Sequence, residues 1–259
     1  MASIESQDLS IDKLFHNFYI VPTYQREYVW QEEQVQEFFD DIYEEFENSP
    51  EGNLADYFIG SIIVCEKEKN LYEVIDGQQR ITTAFLLLCA IRERFNSLNP
   101  TEYKGFIEKI NGQLSSTDTD AQGNLVSRYR VQLQYEDSRH VLEKIAKHES
   151  STKTKPTVSE QNLKKAFKIL EDLIKDKFSD DEVGVIKFKK FYNYFCKNVI
   201  LVSVQTTKSD IALKVFATIN DRGVNLDAMD LVKNLIFAQT SRDDRKKLQI
   251  SGKNGRSTS

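Results

Sequence analysis

The stretch VIDGQQRITT, residues 74–83, decides how this sequence folds. It joins an apolar, β-branched segment that ends at Ile75 to a strongly apolar segment that begins at Ile81 and repeats with helical spacing. The polar residues between them interrupt both patterns, which predicts a turn from a buried strand directly into a core helix. A buried strand that leads into a core helix indicates an α/β or α+β protein.

The turn itself carries groups that suit an anion. Free backbone N–H groups and the helix dipole at the start of a helix favour phosphate. Gly77 lets the backbone approach a ligand, Arg80 adds a guanidinium suited to phosphate oxygens, and Asp76 can hold Mg²⁺ directly or through water. The hydroxyls of Thr82 and Thr83 lie in the first turn of the same helix. The alternative is a plain turn, in which Asp76 caps the helix and pairs with Arg80.

A second polar connection, PTYQREYVW at residues 22–30, lies between a predicted strand at 18–21 and a predicted helix. Arg26 lies among aromatic residues there, and an arginine in such a setting stacks on a base or clamps a phosphate. The alternative is an aromatic cluster at the edge of the core, with Arg26 at its rim. Because ligand sites of α/β proteins gather at strand ends, we expect residues 24–26 and 76–80 to line one pocket.

Periodic patterns cover most of the remaining chain. Helices are predicted at 10–15, 31–46, 81–91, 137–147, 163–174, 185–195, 209–219 and 228–238, and strands at 18–21, 57–65, 71–75, 127–134 and 198–205. The strands at 57–65 and 71–75 are close enough to form a hairpin. Residues 115–124 are polar and loop-like, and residues 150–159 resemble a linker.

Composition excludes several classes of protein. With 35 Lys and Arg against 40 Asp and Glu, the net charge is −5, so the chain is no polycation that coats nucleic acid through bulk charge. No segment approaches the roughly 18 apolar residues of a membrane span, and the N-terminus lacks a secretion signal, so we expect a cytoplasmic protein without membrane contact. Three scattered cysteines predict buried thiols, and His16, His140 and His148 lack the partners of a zinc set.

Three further segments join residues 74–83 in an ordered set of motifs. Residues 22–30 read PTYQREYVW, residues 57–63 read YFIGSII, and residues 216–237 contain NDRG at 220–223. The set resembles the motifs P-x-Y-Q-R-x-Y-x-W, FLGSIV and IIDGQQRLTT, with the closing motif, of the N-terminal domain of GmrSD-type restriction systems, the DGQQR family. The resemblance covers nearly the whole chain.

The resemblance implies an α/β (α+β) fold in which a small mixed-sheet core, like that of ParB and sulfiredoxin, is elaborated by a helical bundle. The core with the YQR and DGQQR motifs is expected at 1–100. A mostly helical elaboration, with a returning strand and the NDRG motif, is expected at 101–240. Residues 241–259 are expected to form a disordered tail.

The resemblance also implies a function: binding and hydrolysis of a nucleoside triphosphate (NTP) with Mg²⁺, which regulates or powers the cleavage of modified phage DNA. By motif match, the catalytic residues are Asp76, Gln79 and Arg80, and Asp76 is also the metal ligand. The nucleotide-binding residues are Tyr24, Gln25, Arg26, Gly77, Gln78, Thr82 and Thr83. Additional site residues are Asn220, Asp221, Arg222 and Lys233.

The partners implied are an NTP, DNA reached through the full system, and a nuclease of the HNH type. No histidine follows His148, so we expect the nuclease to be missing or to lie on another chain. An oligomer is compatible with these expectations. Two other functions stay open: a non-catalytic module that holds a nucleotide or modified DNA base without turnover, and a DNA nuclease that uses Asp76 as a metal ligand.

Overall fold

The structure is a computed structural model that describes residues 4–50, 54–119, 124–135, 139–149, 156–209, 211–213 and 215–216. The predicted NDRG motif at 220–223, the predicted helix at 228–238 and the predicted tail at 241–259 lie outside the described residues. So do Asn220, Asp221, Arg222 and Lys233 among the predicted site residues.

A six-stranded mixed sheet forms the centre of the fold. Eight strands have described bounds, and six of them belong to this sheet. The eight are β1 (Ile4–Ser10), β2 (Phe18–Val21), β3 (Tyr57–Glu68), β4 (Leu71–Asp76), β5 (Ser115–Thr119), β6 (Leu125–Tyr129), β7 (Val131–Leu133) and β8 (Val199–Thr206). The order across the main sheet is β1-β8-β3-β4-β2-β7, and β5 with β6 forms a separate two-stranded sheet. Strand β3 is antiparallel to β4 and parallel to β8, while β2 is parallel to both β4 and β7.

Seven helices have described bounds. They are α1 (Ile11–Leu14), α2 (Glu32–Asn48), α3 (Gln78–Leu98), α4 (Lys104–Leu114), α5 (Arg139–Lys147), α6 (Val158–Lys177) and α7 (Glu182–Lys197). Helix α3 contacts α4, α5 and α6, and every residue from Ile81 to Arg92 is buried. This helix is therefore the core helix that its apolar sequence predicts. No helix in the described segments has the length and apolar character of a membrane span.

The two faces of the sheet carry cores of different size. Because successive side chains of a strand point to opposite faces, Ile62 and Val64 of β3 join the main core, while Ile63 and Cys65 join a smaller cluster. Ala212, in a short helical stretch after β8, covers the smaller cluster. The fold class is thus α+β, as predicted.

The periodic elements agree with the sequence-based expectations. The strands at 18–21 and 198–205 and the hairpin at 57–65 and 71–75 are confirmed. The apolar face predicted for α2 is buried throughout, and its members are Val35, Phe38, Phe39, Ile42 and Phe46. All three cysteines are buried, and burial raises the pKa of Cys196 to about 11, so this thiol stays protonated at neutral pH.

Two expectations are wrong. Residues 115–119 were expected in a loop but form β5, which pairs with β6 through backbone hydrogen bonds that polar residues make as readily as apolar ones. The strand expected at 127–134 divides near Arg130, so that its two halves join different sheets.

Two elements were not predicted at all. Strand β1, with the sequence IESQDLS, buries only the side chain of Leu9 and is held by its pairing with β8. Helix α4 buries only Ile110, Gln113 and Leu114, which is too short an apolar series to stand out in the sequence.

Strands β7 and β8 come from the part of the chain after residue 100, and the other four strands of the main sheet come from before it. The main sheet therefore draws on both predicted parts, and the division at residue 100 stays a prediction.

Gly77 makes the connection from β4 to α3. Its φ of 85° lies in the left-handed region, and it is the N-cap residue of α3. A Cβ at this position would lie 2.6 Å from Cγ2 of Ile62 and 3.0 Å from the carbonyl oxygen of Ser61. The turn thus fits directly against β3, and glycine is needed for both its conformation and its size.

We predict that Gly77→Ala destabilises the protein. The left-handed backbone costs about 1–2 kcal/mol for a residue with a Cβ, and the contact with Ile62 adds about 1–3 kcal/mol. For a chain of this size we expect a decrease in Tm of roughly 5–15 °C. Thermal unfolding followed by circular dichroism measures it. The matched control is Gly112→Ala in α4, where a Cβ meets nothing within 4 Å and alanine favours the helix. Equal Tm values for Gly77→Ala and the parent protein would contradict this account of the turn.

Candidate functional site

A cavity of about 500 Å³ opens where β4 ends and α3 begins. We call it the motif cavity, because residues of both polar motifs line it. The lining residues are Gln25, Arg26, Trp30, Asp76, Gly77, Gln78, Gln79, Arg80 and Phe216. The structure therefore brings residues 25–26 and 76–80 together, although about fifty residues separate them in the sequence.

The side-chain amide of Gln79 binds the backbone of the loop between β2 and α2. Its Oε1 accepts hydrogen bonds from the backbone N–H of Val29 at 3.0 Å and of Trp30 at 3.3 Å. Its Nε2 donates to the carbonyl oxygen of Glu27 at 3.1 Å. One buried side chain thus satisfies three polar groups of a loop that has no regular secondary structure to satisfy them.

Gln78 binds the same loop at Arg26, one residue before the contact of Gln79 with Glu27. Its Nε2 donates to the carbonyl oxygen of Arg26 at 2.7 Å, and the hydroxyl of Tyr135 donates to the same oxygen at 2.5 Å. Burial, and the charge of Glu27, raise the pKa of Tyr135, so its hydroxyl keeps the proton that it donates. The backbone of Arg26 is therefore fixed while its side chain stays exposed.

The buried hydroxyls of Tyr28 and Thr83 connect the loop to the first turn of α3. The hydroxyl of Thr83 donates to the carbonyl oxygen of Gln79 at 2.9 Å. Because this uses the one hydroxyl proton of Thr83, the hydroxyl of Tyr28 donates to Thr83 Oγ1, also at 2.9 Å. Burial raises the pKa of Tyr28, which keeps it protonated. Asn162 of α6 donates to the carbonyl oxygen of Tyr28 at 3.3 Å.

Arg80 lies against β3. Its Nη1 donates to the carbonyl oxygen of Ser61 at 2.8 Å, and its guanidinium lies so close to Gly60 that a Cβ there would be 3.0 Å from Cζ. The absence of a side chain at Gly60 therefore makes room for the guanidinium, whose other N–H groups bond to none of the described residues.

Three polar groups of the motif cavity have no hydrogen-bond partner among the described residues: the side chains of Arg26 and Asp76 and the first backbone N–H groups of α3. The side chains of Arg26 and Asp76 make no hydrogen bond or ion pair with any residue that the structure describes. Helix α3 has no side-chain cap, and its first backbone hydrogen bond runs from Ile81 N–H to the carbonyl of Gly77, so the preceding N–H groups have no acceptor within the helix. A cavity with two guanidinium groups, a carboxylate and a helix N-terminus suits a phosphate ligand that carries a metal ion.

The plain-turn alternative does not hold. Asp76 does not cap α3, because Gly77 is the N-cap residue, and Asp76 and Arg80 form no ion pair within the described segments. Arg80 instead donates to the carbonyl oxygen of Ser61 and packs against Gly60, both on β3.

Some predicted site residues have other positions. Tyr24 is 63 % exposed outside the cavity, and its hydroxyl donates to Glu73. Thr82 and Thr83 are 1 % and 0 % exposed and do not line the cavity, because their side chains face the core side of α3. None of the three lines the motif cavity, and their assignment as nucleotide-binding residues stays a prediction.

Gln25 and Gln79 line the cavity, but their side-chain amides form hydrogen bonds with the protein backbone. Gln25 donates to the carbonyl oxygen of Ile75 at 3.0 Å, which ties the loop to the end of β4. Gln79 was expected to be catalytic, yet both ends of its amide bind the loop backbone. These hydrogen bonds position the loop, and the catalytic role of Gln79 stays a prediction.

Sequence reasoning missed three contributors to the site. Tyr135 and Asn162 reach the loop from positions more than a hundred residues away, and nothing in their local sequence marks them. Gly60 did carry a signal, because a glycine within an apolar strand often marks a close approach by another group.

The residues fit a magnesium ion that phosphate oxygens help to hold. No group of three His, Cys, Asp or Glu side chains within the described residues has the arrangement of a metal site. Asp76 is the one carboxylate among the described residues that line the motif cavity. Mg²⁺ is commonly bound by one or two carboxylates together with substrate phosphates and water, so Asp76 fits that role.

A larger cavity of about 610 Å³ lies elsewhere, between α3 and α6. It contains carboxylates of Glu93, Glu171 and Asp172 as well as basic side chains, and no residue of the predicted motifs. Size alone would favour it, but mixed charge and the commitment of Arg94 to Phe178 and Asp180 make it the weaker candidate for an anion.

Comparison with known proteins gives one family. The family described as "GmrSD restriction endonuclease, N-terminal domain" matches residues 8–237, which is nearly the whole chain. A search of curated proteins finds no match. The chain thus belongs to the family of GmrSD restriction endonuclease N-terminal domains, and it is a component of a restriction system.

Proposed function

We propose that this chain binds an NTP with Mg²⁺ in the motif cavity and hydrolyses it, and that this activity regulates DNA cleavage by the restriction system. The observation that carries the proposal is that Arg26, Arg80 and the uncapped start of α3 face one cavity of about 500 Å³. That volume lies within the range of about 300–1,000 Å³ that is typical of small-molecule sites.

The phosphates of the NTP lie at the start of α3 in this proposal. The free N–H groups of the first turn donate to phosphate oxygens, and the helix dipole favours the negative charge. Arg26 and Arg80 reach the phosphates from two sides, since one lies on the loop and the other on the helix. Guanidinium groups donate in pairs to phosphate oxygens, which fixes the orientation of the chain of phosphates.

Asp76 is the proposed ligand of Mg²⁺. When bound, the ion would neutralise phosphate charge and so favour attack of water on the terminal phosphorus, where the bond to the bridging oxygen breaks and the nucleoside diphosphate leaves. Asp76 orients the ion from the end of β4, while Arg26 and Arg80 stabilise the charge that develops on the transferred group. Gln78 and Gln79 act by holding the loop that carries Arg26.

The wider setting is also part of the proposal. We place DNA recognition in the full system and strand cleavage in a nuclease domain or subunit of the HNH type. The core of this chain is proposed to be of the ParB and sulfiredoxin kind, in a cytoplasmic protein that meets phage DNA. An oligomer stays a prediction.

We predict that Arg80→Ala weakens NTP binding about ten- to hundredfold, because it removes a charge-assisted bond to phosphate that contributes about 1.5–3 kcal/mol. Isothermal titration calorimetry with Mg²⁺ and NTP measures the Kd, and circular dichroism verifies the fold. The matched control is Arg128→Ala, which removes an arginine that lies over the ring of Phe18, outside the cavity. An Arg80→Ala protein that is folded and binds NTP as tightly as the parent would show that Arg80 serves only β3.

Hydrolysis has its own test. We predict that the parent protein releases phosphate from NTP in the presence of Mg²⁺, and that Asp76→Asn lowers the rate about a hundredfold or more while NTP still binds. A phosphate-release assay measures the rate. Tight binding without any release by the parent protein would favour the non-catalytic module instead.

We predict that this chain alone does not cut DNA, modified or unmodified, at Mg²⁺ concentrations that support NTP hydrolysis. Metal-dependent cleavage of phosphodiesters uses several clustered carboxylates or a histidine beside a metal. Among the described lining residues, Asp76 is alone in that respect. Conversion of supercoiled plasmid to nicked circles, abolished by Asp76→Ala, would overturn the assignment in favour of a nuclease.

A further inference from the structure

A second cavity, of about 330 Å³, adjoins the motif cavity. We call it the side cavity. It lies between α2 and the start of β3, and the two cavities share Trp30 and Arg80. A ligand that occupies both would therefore pass the indole ring and the guanidinium on its way from one to the other.

The charge of the side cavity is opposite to that of a phosphate site. Glu37 and Asp41 lie one helical turn apart on α2 and both line it. Arg80 is the one cation among its described lining residues, and it lies at the border with the motif cavity. Two carboxylates repel phosphate, so the triphosphate of a bound nucleotide belongs in the motif cavity and a different part of the ligand belongs here.

Aromatic rings form much of the remaining surface. Trp30, Tyr57 and Phe58 line the cavity, and Phe58 is 39 % exposed, so its ring is accessible to a ligand. The indole of Trp30 is supported by Phe38, with ring centroids 5.9 Å apart. Flat rings beside a phosphate site suit a nucleobase, because every base presents a π-face for stacking.

The carboxylates of Asp41 and Glu37 can both accept hydrogen bonds from a ligand in the side cavity. The hydroxyl of Tyr57 donates to Asp41 at 3.3 Å, and burial together with the charge of Asp41 raises the pKa of Tyr57 to about 12, so the proton stays on the tyrosine. This bond orients Asp41. Glu37 makes no hydrogen bond with any described residue and is free to accept from a ligand.

We propose that the side cavity binds the base of the NTP and selects guanine. An ionised carboxylate only accepts hydrogen bonds, and guanine presents two adjacent donors, N1–H and the 2-amino group, on one edge. The amino groups of adenine and cytosine stand beside ring nitrogens that accept, and the single N–H of uracil stands between two carbonyl oxygens. Carboxylates repel these acceptors. The inference rests on the proposed function, since it assigns the base of the same nucleotide.

Inosine triphosphate tests the proposal, because it differs from GTP only by lacking the 2-amino group. Trp30 is the sole tryptophan of the sequence and borders both cavities, so its fluorescence reports binding in a titration with Mg²⁺. For the parent protein we expect GTP to bind about ten- to hundredfold more tightly than inosine triphosphate, ATP or UTP.

Two variants and a matched control localise the effect. Glu37→Gln and Asp41→Asn are expected to reduce the preference for GTP over inosine triphosphate to within about threefold, because a neutral amide loses the charge that strengthens the bond. Glu44→Gln makes the same change of charge on α2, two turns beyond Glu37 and outside the side cavity, and is expected to keep the preference of the parent.

The outcomes separate the two proposals. If all four nucleotides bind equally well and Arg80→Ala weakens each of them, the base assignment is wrong and the phosphate site stands. If the preference for GTP persists in both Glu37→Gln and Asp41→Asn, the base lies elsewhere and the assignment is likewise overturned. If none of the nucleotides binds to the parent protein, the proposed function fails and this inference fails with it.

Discussion

The side-chain amides of Gln78 and Gln79 hold the backbone of the loop at residues 26–30, and the candidate site depends on this interaction. Both glutamines lie in the first turn of α3 and are nearly fully buried. A buried polar group left without a partner costs about 1–3 kcal/mol, so the amides and the loop stabilise each other only in this arrangement. Two segments that are far apart in the sequence thereby line one cavity.

This arrangement separates structural from chemical roles within a single motif. The neutral residues of DGQQR fix the geometry: Gly77 allows the tight turn, and the glutamines bind the loop. The charged residues, Asp76 and Arg80, keep groups free to face the cavity. Arg26 has the same division within one residue, since its carbonyl is held by Gln78 and its guanidinium is exposed. The bond from Arg80 to Ser61 holds this guanidinium in place before a ligand arrives, which lowers the cost of binding.

Local sequence could predict the elements whose side chains face a core, such as α2, α3 and the hairpin of β3 and β4, because burial imposes a period on the sequence. Strand β1 could not be found in this way, since backbone pairing with β8 holds it and Leu9 is its one buried side chain. That Arg26 and Arg80 line one cavity could be predicted from the rule that ligand sites gather at strand ends. The support from Tyr135 and Asn162 depends on how distant elements pack. The likeness of the core to ParB and sulfiredoxin, and the roles assigned to residues beyond 216, stay predictions.

A crystal structure with Mg²⁺ and a non-hydrolysable NTP analogue tests the central claim most directly. We expect the phosphates at the start of α3, within hydrogen-bonding distance of Arg26 and Arg80, with the metal ion on Asp76. We also expect the loop at residues 26–30 to keep its bonds to Gln78 and Gln79. Phosphates bound elsewhere, for example in the larger cavity beside Arg94, or a loop released from the two glutamines, would contradict the account.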